Sequence, residues 1–164
     1  MRQGVAGGGG GLHAAVGRAL AGADRMIDLL SGAGTLELPL GDVAPLQCFE
    51  NDAELLEALA HGVRHTQGIK TVTTSTRDLF RNPIDHTDLK PFNAAIIDPP
   101  RAGAEQPVGQ LARSALRDIA MVSCNPVRFA RDAALLCNGG ESLPWSGVVG
   151  RVRWAAYPLI CSHF

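Results

Sequence analysis

The residues best placed for chemistry are Asp98, Cys124 and Glu50, each at the end of an expected strand. In FNAAIIDPPRAG, residues 93–97 are short, apolar and partly β-branched, which predicts a strand. The two prolines end it, because they cannot continue a hydrogen-bonded ladder. Asp98 is left at the carboxyl end, the rim where ligands bind in an open α/β sheet, so a carboxylate there suits chemistry better than packing. In MVSCNPVRFARD, Cys124 ends another expected strand on the same rim, with Asn125 as N-cap and Pro126 at the first helical position. A helix N-terminus stabilises a thiolate, which is the setting of a nucleophile. Glu50 closes a strand 18 residues beyond Gly32 and is placed to accept hydrogen bonds from a ribose.

The loop SGAGT supplies the rest of this rim. Gly32 and Gly34 permit a tight strand-to-helix turn whose backbone can approach a ligand. A third glycine of a dinucleotide fingerprint would fall at Glu37, where a carboxylate would face a pyrophosphate. S-adenosylmethionine has a ribose and no phosphate, and so fits better than NAD. A lone G-x-G also marks an ordinary structural turn; Glu50 and Asp98 on one rim favour a nucleoside cofactor. Cys48, Cys137 and Cys161 read as small buried hydrophobes.

The elements that must position these groups alternate along the chain. Strands are expected over residues 25–30, 45–49, 71–75, 93–97 and 119–123, and helices over 12–20, 52–65, 106–116 and 126–136. Leu55, Leu56 and Leu59 would share one helix face. Weaker extended segments at 148–152 and 156–162 are close enough for a C-terminal antiparallel hairpin, and the glycine run 7–11 reads as a flexible loop or frayed terminus. Strands spaced by helices imply right-handed crossovers and an α/β, doubly wound, mostly parallel sheet.

With 164 residues the chain suits a single domain, 1–164, and 46% apolar with 19% charged residues is a globular composition. No apolar run approaches the about 18 residues of a membrane span, and the N-terminus lacks a signal peptide's pattern, so a cytoplasmic protein without membrane contact is expected. Four scattered cysteines without C-x-x-C indicate no zinc site, Fe–S cluster or disulfide framework. A formal charge of −1 gives no bulk positive field for nucleic acid.

DLLSGAGTLELPL, IIDPPRAG and VSCNPVRFARD, in this order and spacing, resemble the catalytic domain of the RNA uracil-5-methyltransferase family, which acts on ribosomal and transfer RNA. Amino-group methyltransferases carry an aromatic residue after the paired prolines, where this chain has Arg101. The resemblance implies a Rossmann-like methyltransferase fold, S-adenosylmethionine as cofactor, RNA as substrate and Cys124 as nucleophile. It places Glu50, Asp78 and Asp98 around the cofactor, Leu30 and Thr35 at the glycine loop, and Gln3 at a cofactor-contacting glutamine whose neighbouring phenylalanine is Met1 here.

In such an enzyme a thiolate adds to uracil C6, turning the ring into an enolate that attacks the methyl sulfonium, and Asp98 would sit between cofactor and base. Two departures bear on this. The family usually places an RNA-binding barrel before the domain, and this chain begins at the glutamine motif, so weak RNA binding is expected. The family also ends in a pattern like W-S-x-H-x-E whose glutamate removes the C5 proton, whereas WAAYPLICSHF keeps Trp154 and puts Tyr157 at the histidine and Leu159 at the glutamate. The expected activity is therefore methyl transfer to C5 of uridine through a cysteine adduct, with turnover impaired. The alternatives are a non-catalytic cofactor-binding remnant, or a methyltransferase for another base or a small molecule.

Overall fold

The computed structural model describes the backbone of residues 8–123, 125–138, 145–146 and 157–162, with side chains over 11–123 and 125–137. The chain runs α1 (Gly8–Ala19), β1 (Met26–Asp28), a 3-10 turn (Leu38–Leu40), β2 (Leu46–Glu50), α2 (Ala53–His65), β3 (Val72–Thr76) and β4 (Ala94–Ile97). It continues through α3 (Glu105–Leu111), β5 (Asp118–Ser123), α4 (Pro126–Asn138), β6 (Trp145–Ser146) and β7 (Tyr157–Ser162).

The sheet order is β3-β2-β1-β4-β5-β7-β6. Strands β1 to β5 pair in parallel, and β7 runs antiparallel to β5 and to β6. The fold is Rossmann-like. The chain builds outward from β1 to β3 and then returns to lay β4 on the other side of β1. The strand order therefore reverses between β1 and β4, which opens a crevice at their carboxyl ends.

Period-two alternation explains the layers. Met26, Leu46, Ala94, Ile96 and Val122 face one side with Ala15, Val16 and Leu20 of α1 and Leu56 and Leu59 of α2. Ile27, Phe49, Ala95, Ile97 and Met121 face the other with Val108 and Leu111 of α3 and Phe129 and Leu136 of α4. Each fully buried large aliphatic contributes about 1.5–3 kcal/mol. Both faces of β4 and β5 are covered, so these strands read as continuous apolar runs, whereas edge strand β3 is VTTST.

Asn93 aligns the two strands that flank the crevice. Its Oδ1 accepts from the N–H groups of Asp24 (2.9 Å) and Arg25 (3.1 Å), and its Nδ2 donates to Asp24 Oδ2 (3.0 Å). The starts of β1 and β4 are thereby tied, which sets where Asp28 and Asp98 emerge at the other end.

Four expectations need correction. Glycines 8–11 lie inside α1, because packing of Ala15, Val16 and Leu20 on the sheet overrides poor glycine propensity. The helix expected over 106–116 stops at Leu111, where the Ser114 hydroxyl donates to the Leu111 carbonyl (2.6 Å). Strand β1 is only Met26–Asp28, since the chain turns at once into the glycine loop. Leu55 is 37% exposed instead of joining Leu56 and Leu59 in the core, because the first turn of α2 overhangs the end of the sheet. The expected strand at 148–152 lies outside the described residues; the segment pairing with β7 is Trp145–Ser146.

Candidate functional site

Strand β1 ends at Asp28, fully buried, whose Oδ1 accepts from Leu30 N–H (2.9 Å). The loop that follows is stitched to β2: Ser31 N–H and hydroxyl both donate to Phe49 O (3.0 and 3.3 Å). Gly32 (φ +55°) has open space about its Cα, while Gly34 (φ +87°) packs so closely on α2 that a Cβ would lie 2.5 Å from Leu59 Cδ1. The two glycines therefore differ in use. Gly32 offers backbone to the crevice, and Gly34 lets the loop settle onto α2.

Glu50 locks this arrangement. Its Oε2 accepts from Gly32 N–H (2.9 Å), and its Oε1 accepts from the N–H groups of Asn51 (2.7 Å) and Asp52 (3.1 Å) at the start of α2. A carboxylate has about four acceptor sites, so this one is oriented by the backbone and keeps capacity for a hydroxyl in the crevice. Asp52 then caps α2, accepting from Glu54 and Leu55 N–H (2.9 and 3.4 Å).

A cleft of about 390 Å³ opens here, lined by Leu30, Ser31, Gly32, Thr35, Leu36, Glu37, Glu50, Leu55, Phe80, Asp98 and Pro100. Three acids in and beside it are perturbed. Burial, then the charge of Glu37, holds Asp28 well above the usual carboxylate range, and burial above all raises Glu37. Burial and the charge of Asp28 push Asp98 up to about 7. The Cys48 thiol is pushed far up by burial and by Asp28 and Glu37, which leaves it an inert core group as its strand position implied.

On the β4–β5 side, the loop after Asp98 is held by α4. Gly103 (φ +86°) donates to Pro100 O (2.8 Å), and Ala104 N–H donates to Asp132 Oδ2 (3.1 Å). Arg131 Nε donates to Asp132 Oδ1 (2.7 Å), and its Nη1 pairs with Glu105 (3.2 Å). Asn125 caps α4 through Val127 and Arg128 N–H (3.1 and 3.3 Å), and its Nδ2 donates to Arg101 O (3.3 Å). The acid loop and the start of α4, next to Cys124 in the chain, are thus one assembly.

Of the sequence-selected residues, Leu30, Gly32, Thr35, Glu50 and Asp98 come together in the cleft. Gly34 packs on α2, and Asp78 is not among the lining residues: its Oδ1 accepts from Phe80 and Arg81 N–H (3.0 and 3.2 Å), fixing the turn that carries Phe80. Gln3 and Cys124 lie outside the described residues. Sequence reasoning missed Leu36, Leu55, Phe80 and Pro100 as lining and Asp132 as a clamp, and treated Glu37 only as a departure from a fingerprint. Phe80, two residues beyond Asp78 and 41% exposed, was the detectable signal: an aromatic in a loop after a strand. Among the described residues there is no cluster arranged to hold a metal ion, and no helix long and apolar enough to cross a membrane.

Comparison with known proteins places this geometry. No family model matches the chain. A Brucella suis protein described as an uncharacterized RNA methyltransferase is 43% identical over 135 residues, 82% of this chain and 32% of that protein. The 23S rRNA (uracil(1939)-C(5))-methyltransferase RlmD of Hahella chejuensis is 30% identical over 131 residues, 77% of this chain and 29% of that protein. Over most of its length the chain is similar to RNA methyltransferases, one of them named for uracil C5. It spans about a third of the length of the curated relatives it matches, 32% for the first. In fold it is similar to the Pyrococcus abyssi tRNA (uracil-54, C5)-methyltransferase in complex with S-adenosyl-L-homocysteine: TM-score 0.77, 24% identity, 93% of this chain and 37% of that one. The Synechocystis magnesium protoporphyrin IX methyltransferase with bound SAM shares the fold at TM-score 0.72 and 15% identity, over 96% of this chain and 80% of that one.

Proposed function

We propose that the chain is the catalytic part of an RNA uracil-5-methyltransferase, binding S-adenosylmethionine in the cleft at the β1/β4 switch point and methylating uridine C5 through Cys124. The observation that carries this is the cleft itself: Gly32, Glu50 and Asp98 converge where the strand order reverses. The residues fit the cofactor. Leu36, Leu55, Phe80 and Pro100 offer apolar surface for a nucleobase, and Glu50 offers acceptors for ribose hydroxyls. Glu37, Glu50 and Asp98 in the lining suit a cationic ligand. When bound, the cofactor supplies an electrophilic methyl group.

The remaining steps belong to this chain's residues and the base. The Cys124 thiolate adds to C6, forming an S–C6 bond and leaving the electron pair delocalised as an enolate, so that C5 becomes the carbon that takes the methyl group. Asp98, held by the proline loop and carrying a proton near neutral pH, is placed to donate a hydrogen bond to charge developing beside it. Loss of the C5 proton and departure of the thiolate then complete the reaction. The stretch carrying the family's general base runs as β7 beside β5, with Tyr157 opposite Ser123 and Leu159 opposite Met121. Leucine accepts no proton, and a positioned base contributes ~10²- to 10⁴-fold, so adduct resolution is slow.

Leu159 also favours a second reading, a cofactor-binding remnant that does not turn over. RNA as partner follows from the family; with a formal charge of −1 the chain's own affinity for it is weak. Calorimetry of S-adenosylmethionine with the chain tests the cofactor reading, and methyl transfer from labelled cofactor to uridine-containing RNA separates enzyme from remnant. Binding without label on RNA or protein selects the remnant; methylation of an RNA without uridine selects a different substrate.

A further inference from the structure

We propose that Asp28 and Glu37 form a proton-sharing pair that tunes the cleft to a cationic occupant, so that it holds S-adenosylmethionine in preference to its uncharged-sulfur product and releases a proton on doing so. The inference rests on the cofactor reading above. Asp28 is 0% and Glu37 2% exposed. Asp28 Oδ1 takes the Leu30 N–H, but its Oδ2, equally buried, has no donor among the described residues. Glu37 lines the cleft with its carboxyl within hydrogen-bonding reach of Asp28, and its Oε2 takes the Leu36 N–H (3.2 Å). Two ionised carboxylates cannot donate to each other. One proton between them satisfies Oδ2 and removes one of the two charges.

Among the described residues, no cation faces the pair. Glu50 faces the pair from β2, Asp98 from β4, and Cys48 from within β2 with its thiol neutral. Helix α2 presents Leu55 to the cleft and the loop after β3 presents Phe80. From α1, His13 meets the glycine loop at Thr35 O (2.9 Å). Burial holds Asp28 and Glu37 above the usual carboxylate range, with the charge of Glu37 adding to the rise at Asp28 and that of Asp98 to the rise at Glu37, and Asp98 stands at about 7, so the empty cleft carries protons near neutral pH. A cation entering among these acids favours their ionised forms, and the protons pass to solvent. S-adenosylhomocysteine shares the amino-acid tail and the nucleoside but lacks the sulfonium charge. The difference between the two ligands therefore isolates that charge.

By linkage, affinity rises by about tenfold per pH unit for each proton released, up to the point where the empty site is itself ionised. The test is calorimetry at pH 6, 7 and 8, in buffers of different protonation enthalpy, with S-adenosylmethionine and S-adenosylhomocysteine on the full chain and on Glu37→Gln. The parent is expected to release more protons with S-adenosylmethionine, and its preference for that ligand should grow by about tenfold or more from pH 6 to 8. Glu37→Gln places a permanent donor beside Asp28 Oδ2 and should lose most of that growth. Equal proton release for both ligands, or a flat preference, overturns the pair while leaving the cofactor reading intact. Full growth retained in Glu37→Gln assigns the protons to Asp98 and also overturns it. If neither ligand binds, the cofactor reading fails and the pair with it. Should Glu37→Gln not fold, Asp98→Asn takes its place: growth retained in that variant assigns the protons to the pair, and growth lost overturns it.

Discussion

On the β1–β2 side of the crevice, Glu37 and Glu50 line an open cleft beside the buried Asp28; on the β4–β5 side, the buried Asp132 is bonded to Ala104 N–H and to Arg131. The first side holds polar groups in reserve for a ligand, and the empty protein is less stable for it. The second side uses its polar groups on itself, which fixes the acid loop against α4 before any substrate arrives. On the proposed function, the difference separates two demands on one rim, capture of a charged cofactor and rigid placement of reacting groups.

Opposite signs on mutation would sharpen this contrast. Asp132→Ala leaves the Ala104 N–H and part of the Arg131 guanidinium unmatched, and should destabilise the fold by about 3 kcal/mol, read by urea unfolding, with S-adenosylmethionine affinity little changed. An equal loss of cofactor affinity would mean that the two sides are coupled. Glu50→Ala removes the acceptor for three loop and helix N–H groups along with the ribose partner, so affinity should fall by about 2 kcal/mol, roughly thirtyfold, by calorimetry. Unchanged affinity would take Glu50 out of the site.

The smallest effect is a gain. Glu37→Gln should raise the stability of the empty chain by about 1 kcal/mol at pH 8, since it supplies a donor to Asp28 and removes a buried acid. The pH profile follows the same logic. Asp28, Glu37 and Asp98 are raised on folding, so their contribution is fully present below the ordinary carboxylate range and is lost as pH rises through the folded values, for Asp98 about 7. Chemical unfolding should show stability declining from pH 5 to 8. A profile rising over that range would contradict the account.

Much of this frame was legible in the sequence because local chemistry and global fold agree. The prolines after Asp98, the cap at Asn125 and the glycines of SGAGT each mark an end that the sheet then gathers on one rim. What stayed hidden depends on contacts distant in sequence. Asp132 clamps Ala104 from 28 residues away, which no spacing rule reports. Leu55 follows the same helical period as Leu59, and only the position of α2 relative to the sheet end puts one over the cleft and the other in the core. Glu37 was visible as an acid near the loop, but its pairing with Asp28 requires the loop between them to fold back on the end of β1.

The most direct measurement is a denaturing gel of the chain incubated with methyl-labelled S-adenosylmethionine and a uridine-containing RNA at high concentration, run beside Cys124→Ala and Leu159→Glu. The account predicts a labelled, denaturant-resistant protein–RNA adduct in the parent, none in Cys124→Ala, and partial conversion to free 5-methyluridine in Leu159→Glu. Labelled RNA formed equally well by Cys124→Ala, or no label on RNA or protein in any of the three, would contradict it.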